Sequence, residues 1–417
     1  MGVTRVRDIA SILGKTQAAN PTNSALSSGG ELDSAAVLNL TDDFAGRNMI
    51  INGNFAVMQR DSSATGITTT GYYTADRWKT VVSNDATLSQ QLYPSVPSAV
   101  TNFNNRSFRT TVTTADTSIG ADQYAHIQQR IEAQHCDRMN WGDSDAKPIT
   151  ASFWVRSRLP GTYCLCVSKP NASTNRYDHI SEYTISDSDT WEYKTITITP
   201  NHDIAGGGIL NGSLGIGGRI YNGTAQHSGT GRGDGLALKW VLAAGSNRHG
   251  SAGWNSSTPA DATSNQVNWL KSTQHFFELF NVQLEVGDTA TPFEYKPYKT
   301  TMDECLRYYY RFRKTVAYGT FISPVRTWST TNFDGTLYFP VPMRTAPTLS
   351  TDKTVNGTNL AYNVNGISLL ETDIETSGSV TVAGTVPSGL TAAGTAALQT
   401  NGASSAIDFS LIFDAEL

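Results

Sequence analysis

Gln283-Leu284-Glu285-Val286-Gly287-Asp288-Thr289-Ala290-Thr291-Pro292-Phe293-Glu294-Tyr295-Lys296-Pro297 alternates, stops and turns away. Val282, Leu284 and Val286 fall on one side of an extended run and polar residues on the other, the period of a half-buried strand. Pro292 and Pro297 lack the N–H that a ladder requires, so pairing ends there. From Leu306 to Arg313 aromatic and basic residues resume a strand-like run. The stretch reads as the last strand of one β domain, an exit, and the first strand of another.

Working outward, the expected organisation is an N-terminal segment, 1–46, a large β domain, 47–297, and a smaller β domain, 298–417. Phe108–Thr113, Ile149–Arg156, Thr162–Val167, Glu192–Thr199, Leu236–Leu242 and Phe276–Glu285 mix β-branched and aromatic residues between Gly, Pro, Asn and Asp. That many strands predict two packed sheets of jelly-roll type. Trp78, Trp154, Trp191 and Trp240 sit in strand-like runs and are expected in the core. A short helix is expected near Ile131–Met139. In the last part, Thr315–Ile322, Thr336–Val341 and Ile407–Phe413 are expected strands, forming a smaller sandwich. The stretch 376–404 is nearly uncharged and rich in Gly, Ala, Thr and Ser, a composition suited to strands pressed together by identical subunits.

The N-terminal segment differs. Val6, Ile9 and Leu13 recur at helical spacing, then Val37, Leu40 and Phe44, with a polar linker between. Helices this short cannot bury their apolar faces alone. They are expected to dock on a larger assembly.

Charge narrows the function. Charged residues make up 16% of the chain, against roughly 25% in an ordinary soluble domain. The formal net charge is −5 and no run of Lys or Arg stands out, which argues against nucleic acid as a partner. No apolar run approaches the length of a membrane span, and Met1–Gly14 lacks a signal-peptide core. Cys136, Cys164, Cys166 and Cys305 have no metal-ligand spacing and read as reduced and buried, in keeping with assembly in a reducing cytosol.

No nucleophile elbow, zinc-protease helix or Walker loop is present. Glu182 with Asp187 and Glu278 with Glu285 are carboxylate pairs that nothing in their spacing selects as glycosidase groups. Arg232-Gly233-Asp234 is a turn sequence. No catalytic residue, metal ligand or cofactor is expected. Sugar binding by a sandwich calls for exposed aromatic faces beside hydrogen-bonding side chains. Tyr221, Arg248, Trp254 and Trp328 are the candidates, each in or beside turn-rich sequence.

Three strings carry a resemblance. They are Asn48 to Phe55 with Gln59-Arg60 and Tyr73 to Trp78; Asn281 to Gly287 with Ala290 to Glu294 and Glu304 to Tyr309; and Phe339 to Pro347 with Phe413 to Leu417. Together they resemble the fibre and receptor-binding proteins of bacteriophage tails. The resemblance implies a galactose-binding-like jelly roll with a C-terminal tip, usually a homotrimer. It implies attachment to other tail proteins by the N-terminus and contact with a host surface polysaccharide at the distal end. Jelly rolls of this type sometimes hold a structural Ca2+, for which the sequence names no ligands. The competing expectations are a tail depolymerase and a purely structural adaptor or head fibre.

Overall fold

The computed structural model describes residues 46–100, 106–141, 146–168, 177–200, 234–256, 259–314, 321–351, 366–369, 379–385, 392–399 and 409–416. Val6, Ile9, Leu13, Val37, Leu40, Phe44, Tyr221 and the Arg232-Gly233 pair lie outside them. The chain divides into two compact units, Met1–Arg47 and Asn48–Leu417.

The second unit is mostly β. It begins with β1 (Ser63–Ile67), β2 (Gly71–Tyr72), β3 (Lys79–Ser83), β4 (Thr87–Tyr93), β5 (Ser107–Thr114) and β6 (Tyr124–Glu132). A one-turn helix, α1 (Ala133–Cys136), follows β6 where a helix was expected. Next come β7 (Ile149–Ser157), β8 (Gly161–Ser168), β9 (Tyr177–Ile185), β10 (Glu192–Ile198), β11 (Asp234–Ala244), β12 (Gly253–Ser256) and β13 (Phe276–Val286). They form a six-stranded sheet, β1-β4-β5-β13-β7-β10, and a seven-stranded sheet, β12-β9-β8-β11-β6-β3-β2. Among the described residues every ladder of the two sheets is antiparallel.

Strand alternation puts one row of each sheet into the shared core. Phe153 and Val155 of β7, Ile127 and Ile131 of β6, and Leu238 and Trp240 of β11 meet there. Trp78 and Trp240 pack with ring centroids 5.5 Å apart, and Phe153 meets Trp240 edge-on at 5.6 Å. Buried rings such as Phe55, Phe108, Phe153 and Phe277 each contribute about 1.5–3 kcal/mol. Trp154 and Trp191 depart from the expectation. Trp154 has the opposite parity to Phe153 and Val155, so it lies half-buried on the outer face of the six-stranded sheet, against Tyr193. Trp191 is half-buried too, against Phe280 and the Arg156 guanidinium.

The opening and closing strings fasten to one another. Asn48 Oδ1 accepts from the backbone N–H groups of Ile50 and Leu284, and Asn48 Nδ2 donates to Val282 O. The Asn52-Gly53 turn then approaches β13 so closely that a Cβ on Gly53 would lie 2.0 Å from the Val282 carbonyl oxygen. Asn52 holds the turn at φ 58°, a left-handed conformation that Asn tolerates. The chain runs on to β1 without the immediate strand that the turn sequence suggests. In β13 a bulge at Asn281, φ 47°, resets the phase, so that Phe277 and Leu279 before it and Val282 and Leu284 after it all face the core. Gln283 and Glu285, on the other face, bind the exit segment. Glu285 accepts from Thr291 N–H and O–H, and Gln283 Oε1 accepts from Glu294 N–H.

After the exit comes a helix that strand-like spacing does not predict, α2 (Tyr298–Leu306). Its Met302, Cys305 and the following Tyr308 pack on Ile51 and Val57. Then follow β14 (Tyr309–Lys314), β15 (Phe321–Thr327), β16 (Asn332–Tyr338), β17 (Thr348–Thr351), β18 (Gly366–Leu369), β19 (Ser379–Thr385), β20 (Gly394–Gln399) and β21 (Phe409–Asp414). They form sheets ordered β14-β21-β17 and β18-β19-β16-β15-β20. Val325, Phe333, Met343, Val382, Leu411 and Phe413 make their core. β16 lies a few residues earlier than the Thr336–Val341 run. Much of Thr315–Ile322 lies outside the described residues.

A buried ion cluster ties the two parts. Glu416 pairs with Arg77 and, at 3.2 Å, with Arg60, and Arg60 lies 3.3 Å from Asp76. The Arg77 guanidinium covers the Tyr308 ring at 3.5 Å, and that of Arg60 covers Tyr309 at 3.7 Å. Both arginines are almost wholly buried. Burial pushes the Asp76 carboxyl up to about 6 against the pull of Arg60 and the hydrogen bonds from Gln59. A second tie runs from Arg307 to the buried Glu132 at the end of β6, 2.9 Å.

Candidate functional site

The outer face of the seven-stranded sheet carries a cleft, and strand register decides what lines it. Lys79 of β3, Gln128 of β6 and Lys239 of β11 are direct cross-strand partners in one row. The row on one side joins Arg130 to Ala237 and Ser168. The row on the other joins Val81, His126 and Val241. Adjacent strands lie about 4.8 Å apart, so Lys79 and Lys239 flank Gln128 at roughly 9–10 Å from each other. Ala237 and Ser168 are small and leave a depression of about 260 Å3 between the longer side chains.

One wall carries Arg248 and Asp261, from the described stretches 245–256 and 259–263. Gly245 starts it against the 120–121 backbone, where a Cβ would lie 2.0 Å from the Gly120 carbonyl oxygen. The Arg248 carbonyl accepts from Asp261 N–H at 2.8 Å, and Asp178 of β9 accepts from Ala260 N–H at 3.1 Å. Ala260 and Ala262 cover Cys164, Cys166, Ile180 and Val241 in a small apolar cluster. All four cysteines of the chain are buried and unbridged.

The wall delivers charge to the cleft. Asp261 Oδ1 accepts from Lys239 Nζ at 2.8 Å, and Arg248 stands 3.6 Å from Oδ2. The Arg248 guanidinium also lies over the Tyr124 ring at 4.1 Å. Tyr124 stacks on His126 with centroids 5.8 Å apart and planes 16° from parallel. The cleft thus gathers polar side chains around a stacked column of Arg248, Tyr124 and His126, and such convergence of polar groups in a depression is what a small-molecule site requires.

Of the sequence candidates, Arg248 lines the cleft. Trp254 lies on β12, at the edge of the same sheet, half-buried between Trp141 and His179, and its Nε1 donates to Thr199 O. Burial lowers His179 to about 4. Trp328 follows β15 in the smaller part and is 57% exposed. The structure does not gather these three. Glu278, one of the carboxylates considered, is wholly buried between Arg109 and Arg156 on the outer face of the six-stranded sheet. Glu182 accepts from Thr263 and Asn265.

Sequence reading missed Lys79, Tyr124, His126, Gln128, Arg130, Lys239 and Asp261. The signal was there in β6, where Tyr124, His126, Gln128 and Arg130 alternate with Ala125, Ile127, Gln129 and Ile131. Gln129 disguised it, as a polar residue on the core side. It holds both backbone groups of Ile51, at 2.7 and 2.8 Å.

Among the described residues no cluster of three or more His, Cys, Asp or Glu side chains is placed to hold a metal ion. No described helix is long and apolar enough to cross a membrane. No family model and no curated sequence matches the chain. Solved structures similar to part of it include a putative sugar-binding protein from Bacteroides thetaiotaomicron, at 12% identity over 57% of this chain and 99% of that one, TM-score 0.28. Another is the enzymatically active domain of tailspike protein 4 of bacteriophage CBA120, at 10% identity over 58% of this chain, TM-score 0.26. That match spans 21% of the tailspike chain. A third is the family 11 carbohydrate-binding module of Clostridium thermocellum, at 11% identity over 55% and 98%, TM-score 0.25.

Proposed function

We propose that this chain is a fibre protein of a bacteriophage tail and that its outer-face cleft binds a glycan of the host surface. The cleft carries the binding part of this reading. It has a floor set by strand register, a wall fixed by buried hydrogen bonds, and convergent side chains that bond hydroxyls. The sequence resemblance carries the tail-fibre part. Its strings are the fasteners of the fold, Asn48 on β13 and Arg77 on Glu416. The protein is then a virion component, a homotrimer fixed to other tail proteins through residues 1–46.

The cleft binds and does not cut. Hydrolysis of a glycosidic bond needs two carboxylates flanking it, and the described lining holds one, Asp261, tied to Lys239 and Arg248.

The test is an array of bacterial surface glycans probed with the full chain and with Gln128→Ala. Binding that falls at least tenfold in Gln128→Ala but survives Trp254→Ala and Trp328→Ala supports the cleft. Binding lost in the tryptophan variants and kept in Gln128→Ala moves the site elsewhere. A chain that binds no glycan is a structural adaptor. Light scattering should give about three times the 45.0 kDa chain mass, and a clean monomer refutes the trimer. Antibody labelling of virions should mark the tail.

A further inference from the structure

We infer that the outer face of the six-stranded sheet is a second saccharide surface. An acidic polysaccharide chain lies across its strands, with sugar faces on Trp154 and Tyr193 and sugar carboxylates on Arg109 and Arg156. The surface is on the other sheet from the cleft and stands whether or not the cleft takes a glycan.

Strand register builds it. Tyr193 of β10, Trp154 of β7 and Phe280 of β13 are cross-strand partners in one row. Arg156 of β7, Glu278 of β13, Arg109 of β5 and Gln91 of β4 make the next row on the same face. At about 3.4 Å per residue the two rows lie roughly 7 Å apart. The exit segment, held by Gln283 and Glu285, borders the face on one side. Phe280 is wholly buried, with Trp191 edge-on to it. Trp154 and Tyr193 are more open. Tyr193 is 44% exposed and Trp154 half-buried, with ring centroids 5.3 Å apart. Neither ring packs on any other described ring, and neither the Tyr193 hydroxyl nor Trp154 Nε1 has a hydrogen-bond partner among the described residues. Such rings cover the apolar face of a sugar while their polar tips bond its hydroxyls.

Charge complementarity selects the kind of sugar. The Glu278 carboxylate is wholly buried and accepts from Nε of both Arg109 and Arg156 and from Arg156 Nη2. No other carboxylate pairs with either arginine among the described residues, so two guanidinium groups share one negative charge and the row is left positive. Arg158 and Lys194 add nothing to this surplus, because Asp189 and Glu192 pair with them. Rings hold both forks in place. The Arg109 guanidinium lies over Tyr93 at 3.4 Å, and that of Arg156 over Trp191 at 5.2 Å. With Nε turned in to Glu278, both Nη atoms of Arg109 and Nη1 of Arg156 stay unpartnered and open to the surface. They offer donors and no acceptor, which suits a sugar carboxylate. A nucleic acid backbone calls for a longer run of cations than these two.

The experiment is calorimetric titration of the full chain with hexagalacturonate, a neutral galactose hexasaccharide and an oligothymidylate. Hexagalacturonate should bind about tenfold tighter than the neutral chain or better, and raising salt from about 0.05 to about 0.5 M should erase most of the difference. Tyr193→Ala should weaken hexagalacturonate about fivefold or more, and by the same factor when Gln128→Ala is added in the cleft. Trp154→Phe keeps a ring and should stay within about twofold of wild type, while losing most of the ligand-induced change in tryptophan fluorescence. If Tyr193→Ala does not fold, that fluorescence and the salt dependence of the wild type decide. Equal affinity for acidic and neutral chains, an unchanged Tyr193→Ala, or tighter binding of the oligothymidylate overturns the inference. Binding lost in Gln128→Ala alone assigns the acidic chain to the cleft and overturns it too, leaving the cleft reading standing. Loss of the oligomer in Tyr193→Ala, read by light scattering, makes the surface a contact between copies and overturns the inference as well.

Discussion

Replacing Glu416 by Gln tests the buried ion cluster. Its carboxylate serves Arg77 and Arg60, whose guanidinium groups are almost wholly buried. The amide keeps one acceptor oxygen and loses the charge. Asp76 still faces Arg60, but no other carboxylate is paired with Arg77 among the described residues. Removing one partner of a buried pair costs about 3–5 kcal/mol, because the other charge stays behind. An unfolding entropy of about 2.1 cal/mol/K per residue turns this into a drop in Tm. If the Asn48–Leu417 unit melts as one, the fall is roughly 4–6 °C; if only the part after residue 308 comes away, it is roughly 13–22 °C. Scanning calorimetry on wild type and Glu416→Gln measures both the size and the number of transitions. Adding Arg77→Met should recover part of the loss, giving a coupling of at least about 1 kcal/mol in the double-mutant cycle. A Tm within 1 °C of wild type, or additive single variants, would refute the idea that this cluster holds the two parts together.

Gly53→Ala should cost about 3 kcal/mol or more, because the new Cβ meets the rigid Val282 carbonyl; urea unfolding measures it. Trp254→Ala should cost about 2–3 kcal/mol and the exposed Trp328→Ala less than about 0.5, read from the same curves. Acid titration should separate two opposing groups. Asp76 holds its proton up to about pH 6 when folded, so between about pH 4 and 6 the folded chain binds more protons and its stability falls as pH rises. The stability of Asp76→Asn relative to wild type should therefore rise with pH across that window. His179, lowered to about 4, refuses a proton that the unfolded chain takes from about pH 6.5 downward. Its contribution is present above pH 6.5 and lost as the pH falls towards 4, so His179→Gln should lose less stability on acidification.

The strands richest in apolar and β-branched residues were legible from local pattern. β5, β7, β8, β10, β11 and β13 stand within two residues of where alternation and turn residues place them. β6 was not, because its outer row is polar and Gln129 interrupts its inner row. α2 was not, because Thr300, Thr301 and Asp303 weaken any apolar stripe and the helix buries only Thr301, Cys305 and Leu306. Trp154 and Trp191 show the limit of residue type as a guide, since parity along the strand, not size, chooses the face. The cleft was hardly legible at all. Its residues come from β3, β6, β8, β11 and the wall that carries Arg248 and Asp261, and the register of four strands brings them side by side. Arg248 stood out because its neighbours form a turn; Lys79 and Lys239 sit in ordinary strand sequence.

The bond between Arg77 and Glu416 joins residues 339 positions apart. A ribosome adding 5–20 residues per second needs roughly 17–70 s to cover that distance. Throughout that time Arg60 and Arg77 are already synthesised and their shared counterion is not. The jelly-roll sheets can pair in the meantime, since their last strand is complete at Val286. Asp76 already faces Arg60, but the corner around Tyr308 would have to close over an Arg77 guanidinium with no carboxylate paired to it among the described residues. Final closure therefore waits on synthesis of Glu416, and a chain halted before it is left with a charged, open seam at Arg77.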